Sequence, residues 1–394
     1  MFVKGISFGF MARNGYYRSP EGRREIENIC ALGVNWVALI ATVMQDTWYS
    51  TKMYHDFAFS PSDEELAETV KTFKAHGIKV MLKPMIECHD SIWRGNISFP
   101  EKQMMIQGIE TDYWGEWFRN YSDCMAHYAR FAEDHGIELF CAGCELMGCE
   151  PREEHWPGVI ERIRSIYHGP VTYNANQYFP GSPFVRKWFK LLDLLGVSFY
   201  TGTPRPNPTP DEIAADLRPN VDALAEVARE TGVPLFFAEC GARSVEKGTE
   251  QPWMYSNSGA YDGMAQANYL EGVVKAFTPR PWWHGLMWWK WDEQQKRPHY
   301  VQPAATPVSR STASLPPKSC AAGARREATG EARDDAAGQT GYQMDARPSD
   351  RHRICGHQSR AGTLRAAAAV GFRLPAADRP AFRRAWFPAL CARG

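Results

Sequence analysis

Two apolar runs separated by a helical segment decide the fold: WVALIATVM at Trp36–Met44 and KVMLKPMI at Lys79–Ile86. Between them, SPSDEE at Ser60–Glu65 is a helix start signal, and AHG at Ala75–Gly77 places a glycine just past the helix end. Near-continuous apolar runs suit strands that are buried on both faces of a parallel sheet. The stretch therefore predicts a strand–helix–strand unit of an α/β protein.

The same alternation continues to about residue 302. The predicted strands are Lys4–Phe10, Trp36–Met44, Lys79–Ile86, Leu139–Leu146, Val171–Asn176, Leu194–Tyr200, Pro234–Cys240 and Gly285–Trp291. The predicted helices are Pro20–Leu32, Pro61–His76, Trp114–His135, Trp156–Tyr167, Pro183–Asp193, Asp211–Thr231 and Asp262–Thr278. Eight strands in alternation with helices indicate a (β/α)8 TIM barrel rather than an open sheet. An eighth helix should follow the last strand. The sequence changes character at that point, so we expect this helix to be lost or replaced.

The composition is that of a globular protein with a sizeable core. The 394 residues are 44% hydrophobic and 23% charged. No run approaches the roughly 20 apolar residues of a membrane helix, so no membrane partner is expected. The N-terminal residues show no signal peptide, which predicts a cytoplasmic protein. The 10 cysteines are scattered along the chain and are expected to be reduced, mostly buried thiols.

The formal net charge of zero conceals two unlike parts of the chain. Residues 1–302 carry about 38 acidic and about 30 basic side chains, whereas residues 303–394 carry about 7 and about 15. The acidic balance of the first part argues against a nucleic-acid partner, because phosphate binding needs clustered Lys and Arg. We therefore predict one folded domain at residues 1–302, followed by a tail of different composition.

The tail, residues 303–394, is rich in Ala and Arg, with about 22 and about 14 of its residues respectively. This low-complexity composition buries too little apolar surface to offset the entropy of ordering, so we expect it to be mostly disordered. Two origins are open: a natural basic appendage, or the product of a shifted reading frame in a G+C-rich gene. The abrupt change, at a point where a helix is still expected, favours the frame shift.

Two carboxylates close apolar runs at the fourth and seventh predicted strands, Glu145 in FCAGCEL and Glu239 in LFFAECG. The active site of such a barrel lies at the C-terminal ends of its strands, and a charge there must be paired or functional. These strands face each other across the barrel mouth, so both carboxylates can converge on one substrate bond. Glycoside hydrolysis needs such a pair, one protonated and one ionised. The alternative is that each glutamate pairs with a neighbouring Arg.

Aromatic and polar residues near the strand ends add a second signal. Trp289 and Trp291 share a face of the eighth predicted strand by period-two alternation, and Trp93 falls in a loop. Flat rings suit the apolar face of a sugar ring, although a tryptophan also fills a large core. The polar candidates for binding sugar hydroxyls, each equally compatible with a turn or ion-pair role, are Lys83, Arg94, Asn174 and Asn176.

The sequence predicts no metal and no cofactor. Cys141, Cys144 and Cys149 include a Cys-x-x-Cys spacing, but residues three apart on a strand point to opposite faces and no second Cys or His pair follows. A metal-dependent hydrolase would need His and Asp at several strand ends, and only His89 and Asp90 are close together. No glycine-rich phosphate loop and no serine nucleophile elbow is present.

Seven short motifs occur in a fixed order at the predicted strand ends. They are LKP at Leu82–Pro84, WRG at Trp93–Gly95, GCEL at Gly143–Leu146, TYNAN at Thr172–Asn176, GVSFY at Gly196–Tyr200, AECG at Ala238–Gly241 and WKW at Trp289–Trp291. In this order they resemble glycoside hydrolase family 113, which consists of retaining (β/α)8 glycosidases, mainly β-mannanases. The resemblance covers about residues 4–300.

The resemblance implies a role for several residues. Glu145 would be the general acid/base and Glu239 the nucleophile, Tyr200 would hydrogen-bond the nucleophile, and a Trp of the eighth strand would form the floor of the sugar site. The chain departs from the family pattern at Met85, where His is usual, at Cys144, where Thr is usual, and around the nucleophile. These departures affect the expected sugar specificity and leave both carboxylates in place.

Together, residues and resemblance predict a retaining glycoside hydrolase that cleaves β-1,4-linked glycans, with mannan or manno-oligosaccharides as the first expectation. Its partner would be a polysaccharide or oligosaccharide substrate, and residues 1–302 would form the catalytic domain. The alternative is a carbohydrate-binding protein with little or no turnover, in which the truncated barrel does not assemble its catalytic site.

Overall fold

Eight parallel strands close into a barrel in the computed structural model of the chain. The structure describes residues 2–104, 108–176, 185–254 and 259–291. The strands follow one another around the barrel in chain order, and the last pairs with the first. They are β1 (Val3–Phe8), β2 (Trp36–Gln45), β3 (Lys79–Cys88), β4 (Leu139–Cys144), β5 (Val171–Ala175), β6 (Leu194–Phe199), β7 (Leu235–Cys240) and β8 (Trp283–Trp291). The predicted TIM barrel is confirmed.

Helices connect the strands on the outside of the barrel. They are α1 (Pro20–Cys30), α2 (Asp63–Ala75), α3 (Tyr113–Asp134), α4 (Trp156–Arg164), α5 (Pro210–Asp216), α6 (Arg218–Thr231) and α7 (Gly263–Phe277). Short 3-10 turns lie at Arg94–Asn96 and Lys187–Leu191, and Gln103–Met104 pairs with Glu110–Thr111 as a small antiparallel ribbon. None of the described helices is both long enough and apolar enough to span a bilayer. The predicted fate of the eighth helix, the boundary at residue 302 and the tail all lie outside the described residues.

Two predicted helices differ from the structure. The segment predicted as one helix, Asp211–Thr231, is divided into α5 and α6 at Leu217. Pro219, near the start of α6, has no N–H with which to continue the hydrogen-bond ladder of α5. The described part of the predicted helix at 183–193 is only a five-residue 3-10 turn, because the backbone is extended on both sides of it.

Side chains along the strands alternate between the barrel interior and the helices. In β2, Trp36 and Ala38 belong to an interior cluster with Met81 of β3, whereas Val37 and Leu39 belong to the larger cluster that includes helix residues. Above this interior layer, towards the C-terminal ends of the strands, a separate cluster contains Phe10, Ile40, Met85, Cys144 and Trp289. The mouth of the barrel is therefore closed from below by apolar side chains.

Three strands carry a β-bulge near their C-terminal ends. From Cys141 to Cys144 the paired register advances by three residues along β4 but by only two along β5. From Phe236 to Glu239 it advances by three residues along β7 but by only two along β6. From Trp288 to Trp291 the register advances by three residues along β8 but by only two along β1. An extra residue changes which side chains point inward beyond it, and bulges are common beside active sites. In β7, the consecutive residues Ala238 and Glu239 accordingly both face the interior.

Closure of the barrel between β1 and β8 depends on Gly285. Its φ is +104°, and a Cβ at this position would lie 2.0 Å from the carbonyl oxygen of Val3. We expect Gly285→Ala to lower the free energy of unfolding by about 1–3 kcal/mol from backbone strain alone, and further from the contact with β1. Urea unfolding of the full chain measures this loss.

Gly158 in α4 provides the matched control, since nothing lies within 4 Å of a Cβ placed there. Gly158→Ala should leave stability unchanged or raise it by up to about 1 kcal/mol. A Gly285→Ala protein as stable as the wild type would contradict the described closure.

Candidate active site

Glu145 is the first residue after β4, and its backbone conformation is unusual. Its φ is +52°, in the left-handed region that non-glycine residues rarely adopt, and its N–H donates a 2.8 Å hydrogen bond to the carbonyl oxygen of Asn174. Such strain persists only where the surrounding structure enforces it, and it is concentrated at functional sites. The turn ends the strand and directs the Glu145 side chain into the mouth of the barrel.

The carboxylates of Glu145 and Glu239 meet at the barrel mouth. Both residues are buried, at 8% and 3% exposure, and ligand oxygens of the two carboxylates and the Cys144 sulfur all lie within 4.8 Å of one another. The prediction that the fourth and seventh strands bring their terminal glutamates together is therefore matched by the geometry. Two carboxylates at this separation can act on the two atoms of a single substrate bond.

Three side chains surround the Glu239 carboxylate. Lys83 Nζ lies 2.6 Å from Glu239 Oε1 and also donates a 2.6 Å hydrogen bond to Asn174 Oδ1. The Tyr200 hydroxyl donates a 2.9 Å hydrogen bond to Glu239 Oε2, and the Cys144 thiol lies 3.4 Å from Oε1. Both oxygens of Glu239 therefore have hydrogen-bond donors that favour the ionised form.

Arg94 joins Glu145 to a third buried carboxylate, Glu87. Its Nη2 donates a 2.6 Å hydrogen bond to Glu145 Oε2, its Nη1 pairs with Glu87 Oε1, and its Nε donates to the Cys144 carbonyl oxygen at 3.1 Å. Arg94 is 1% exposed, and its guanidinium is held at three points. We call Lys83, Glu87, Arg94, Glu145 and Glu239 the charge cluster.

The pKa of Glu239 is lowered from its ordinary value. Burial opposes ionisation, but the charges of Lys83 and Arg94 and the hydrogen bonds from Lys83 and Tyr200 outweigh it. The Glu239 carboxylate is therefore ionised at neutral pH. An ionised, buried carboxylate is chemically equipped to act as a nucleophile.

The pKa of Glu145 is shifted in the opposite direction. Burial is the largest cause and the charge of Glu239 adds to it, while the charge of Arg94 and a hydrogen bond from Ser198 oppose it, and the net pKa is raised. Burial likewise raises the pKa of Glu87 against the charge of Arg94. Two neighbouring carboxylates with pKa values moved apart are typical of an acid and base pair.

The bulge in β8 separates the two tryptophans that alternation places on one face. Trp289 lies in the upper interior cluster with Phe10, and Lys83 Nζ is 5.3 Å from the centre of its ring. Trp291 instead faces α1, where its indole N–H donates a 3.0 Å hydrogen bond to Glu25. The prediction that both rings share a face is wrong, because the extra residue in the bulge shifts the alternation. Trp289 remains a candidate for the sugar site, and Trp291 is removed from it.

The other predicted binding residues lie at different depths. Asn174 is buried at the centre, where its Nδ2 donates a 2.8 Å hydrogen bond to the Ser198 hydroxyl. Asn176 is half-buried above it, with its Nδ2 2.7 Å from the sulfur of Met147. Trp93 is half-buried in the loop before the 3-10 turn that carries Arg94. Both residues are more exposed than Asn174, and their role in substrate binding stays a prediction.

Sequence reasoning missed Glu87 and Ser198 as members of this site. Glu87 ends an apolar run on β3, which is the same signal that identified Glu145 and Glu239. Its short distance along the chain from Arg94 could also have suggested the ion pair. Ser198 carries no comparable signal, because a small hydroxyl within a strand is common and only the register of β5 against β6 brings it to Asn174.

Cys144, Glu145 and Glu239 are close enough together to be considered as metal ligands. Each carboxylate, however, already pairs with a buried cation, Lys83 or Arg94, at 2.6 Å. A divalent ion would have to displace these cations or lie beside them, and like charges repel strongly in a buried site. The donor set therefore suits organic acid–base chemistry better than metal binding.

Comparison with known proteins identifies the family to which the chain is similar. The family model described as Glycoside Hydrolase Family 113 matches residues 6–305. The solved structure of the GH113 β-mannanase AaManA from Alicyclobacillus acidocaldarius, in complex with ManMIm, is 32% identical, and the match covers 78% of this chain and 91% of that chain with a TM-score of 0.65. A structure described as a GH113 β-1,4-mannanase is 28% identical over 78% of this chain and 94% of the other, with a TM-score of 0.66.

No curated sequence matches the chain. The family model nevertheless spans well over half of it, and the barrel of the solved relatives is the barrel described above. The chain therefore belongs to glycoside hydrolase family 113 and is a glycoside hydrolase.

Proposed function

We propose that the chain is a retaining β-glycosidase that cleaves β-1,4-linked mannan or manno-oligosaccharides by double displacement. The observation that carries the proposal is that one oxygen of Glu145 and one oxygen of Glu239 lie within 4.8 Å of each other. Retaining glycosidases place their two carboxyl groups about 5–5.5 Å apart, whereas inverting enzymes need about 6.5–9.5 Å to admit a water molecule. The gap supports direct attack by one carboxylate while the other transfers a proton.

In the first step, Glu239 is the nucleophile and Glu145 is the acid. A Glu239 oxygen forms a bond to the anomeric carbon while the bond from that carbon to the leaving oxygen breaks. Glu145 gives its proton to the leaving oxygen, which departs as a hydroxyl group. The lowered pKa of Glu239 and the raised pKa of Glu145 support these assignments.

In the second step, water attacks the anomeric carbon and the ester bond to Glu239 breaks. Glu145, now ionised, takes a proton from the attacking water and returns to its starting state. Because Glu239 has become a neutral ester, the negative charge that raised the pKa of Glu145 is gone, which favours its action as a base. Two inversions at one carbon give net retention of the β configuration.

The residues around the carboxylates are suited to holding a sugar. The Trp289 ring lies in a cluster with Cys144 and Tyr200 and offers an apolar face beside the reacting centre. Lys83, Tyr200 and Asn174 hold the nucleophile and the end of β5 in place. The preference for mannose rests on the relatives, whose descriptions name β-1,4-mannanases. Met85 and Cys144, where the sequence departs from the family pattern, both lie in this cluster and are the residues to examine if another sugar is preferred.

Variants of the two glutamates should separate their roles. We expect Glu239→Ala to reduce kcat on a β-1,4-manno-oligosaccharide by about 10⁴-fold or more, and Glu145→Ala by about 10²–10⁴-fold. With azide and an activated aryl β-mannoside, Glu239→Ala should form the α-glycosyl azide by direct attack. Glu145→Ala should form the β-glycosyl azide through the glycosyl-enzyme. Proton NMR of the products identifies the anomer.

Wild-type protein should release a product that is initially β. An initially α product would contradict double displacement. Binding of manno-oligosaccharide by the wild type with no product released would instead support the carbohydrate-binding alternative. Equal azide products from both variants would contradict the assigned roles.

The Tyr200 hydroxyl is expected to influence the pH dependence of kcat/KM. Its hydrogen bond to Glu239 helps to hold the pKa of that carboxyl down. Removing the hydroxyl raises this pKa, and Glu239 must be ionised to attack, so the acid limb of kcat/KM should move to higher pH. For Tyr200→Phe we expect an upward shift of up to about one pH unit, the equivalent of one hydrogen bond.

Tyr167→Phe is the matched control. The Tyr167 hydroxyl also donates one hydrogen bond, at 2.8 Å to the Ile137 carbonyl oxygen, but at the N-terminal end of β4 and away from the carboxylates. Its pH profile should follow that of the wild type. An acid limb that moves equally in both variants, or in neither, would argue against Glu239 as the group that titrates there.

A further inference from the structure

Glu87 is a buried carboxylate that double displacement does not use. It lies near the end of β3, is 8% exposed and pairs with Nη1 of Arg94, whose Nη2 holds Glu145. Burying a third carboxylate beside two others is costly unless it is compensated. A purely structural salt bridge would need only one carboxylate for Arg94. Here the Arg94 guanidinium pairs with both Glu87 and Glu145.

The charge cluster contains three carboxyl groups and two cations, joined by direct contacts. With all five groups ionised its net charge is −1, and with one proton bound to a carboxyl it is zero. Since a net charge is unfavourable in a buried site, the cluster favours binding of one proton. That proton is the one that the first step of the reaction requires.

The contacts set Glu239 apart from the other two carboxyls as the one that stays ionised. Glu239 has Lys83 at 2.6 Å and the Tyr200 hydroxyl at 2.9 Å on its two oxygens, so it is the best stabilised as an anion. Glu87 and Glu145 share Arg94. Each of these two therefore competes for the same positive charge, and when Glu87 holds that charge, Glu145 is left to hold the proton.

We propose, as an extension of the proposed function, that Glu87 is a positioning carboxylate that holds Arg94 against Glu145 and cancels the Arg94 charge, so that Glu145 carries the single proton of the charge cluster and gives it to the leaving oxygen. Glu87 does not touch the reacting atoms. It acts through Arg94, which bridges the two carboxyl groups.

The net charge of the charge cluster is the same in both halves of the reaction. In the free enzyme, Glu87 and Glu239 are anionic, Lys83 and Arg94 are cationic and Glu145 is protonated. In the glycosyl-enzyme, Glu239 is a neutral ester and Glu145 is anionic, because its proton has left with the hydroxyl of the leaving group. The net charge is zero in each state, so neither half-reaction leaves an uncompensated charge in the buried site.

The neutral polar groups that contact the charge cluster do not change its net charge. The Cys144 thiol, which contacts both Arg94 and Glu239, has a pKa raised by burial and is neutral. The Ser198 and Tyr200 hydroxyls are neutral donors. Two further buried ionisable residues lie in this part of the barrel: Glu150 accepts a 2.9 Å hydrogen bond from the Tyr173 hydroxyl, and the charge of Glu145 contributes to its raised pKa, while Lys290 Nζ lies 5.6 Å from the centre of the Phe10 ring.

Replacing Glu87 should expose Glu145 to the full charge of Arg94. For Glu87→Gln we expect the basic limb of kcat/KM on a manno-oligosaccharide to move down by about one pH unit or more, the size expected for one neighbouring charge. At the pH optimum of the wild type, activity on this substrate should fall by about tenfold or more. An aryl β-mannoside with a strongly acidic phenol needs no proton on departure, so its kcat/KM should change by less than about threefold at the same pH.

The double variant Glu87→Gln/Arg94→Gln tests charge balance directly. It removes one anion and one cation, so the cluster is again neutral with Glu145 protonated, as in the wild type. Its basic limb should return to within about half a pH unit of the wild type. Glu65→Gln is the control for loss of a buried carboxylate. Glu65 accepts a hydrogen bond from the Gly15 N–H on the outside of the barrel, and its variant should keep the wild-type profile.

The outcomes separate this inference from the function on which it depends. If the wild type is active and the basic limb stays in place in Glu87→Gln, or if both substrates lose activity equally, Glu87 has only a structural role and the inference is wrong. It is also wrong if the folded double variant has a basic limb displaced downward by a full pH unit. A wild type that hydrolyses neither substrate would contradict the proposed function itself.

Discussion

The structure depends on one electrostatic constraint: five ionisable side chains are buried together and must remain close to neutral as a group. Lys83 compensates Glu239, and Arg94 is shared by Glu87 and Glu145. Each contact is a charge-assisted hydrogen bond, which is shorter and stronger than one between neutral groups. Two positive charges are shared unequally among three carboxyls. Glu145 and Glu239 therefore differ in pKa although their side chains are chemically identical.

The barrel provides the positions for this arrangement through local departures from regular strand geometry. Bulges in β4, β7 and β8 turn interior side chains towards the mouth, and a left-handed residue at Glu145 ends β4. A regular period of two would have directed Glu239 outward, next to the inward Ala238. Side chains on or just after the six strands from β3 to β8 thereby converge at the barrel mouth, above layers of apolar side chains.

Much of this arrangement could be predicted from the sequence, and the parts that could not have physical reasons. Uninterrupted apolar runs predicted all eight strands, and a carboxylate at the end of such a run indicated Glu145 and Glu239. Trp291 was misplaced because a bulge leaves no trace in the pattern of apolar residues. The break before α6 followed from Pro219, whose effect on the helix depends on its position in the turn. The role of Glu87 depends on a contact with Arg94 that only the folded loop after β3 creates.

The central claim is that the two facing carboxyls have opposite protonation states at neutral pH. A carbon-13 NMR titration of the full chain, labelled at the glutamate carboxyl carbon and assigned with single Glu→Gln variants, measures this directly. At pH 7 the account predicts a protonated Glu145 and ionised Glu87 and Glu239. An ionised Glu145, or a proton bound to Glu239, would contradict it.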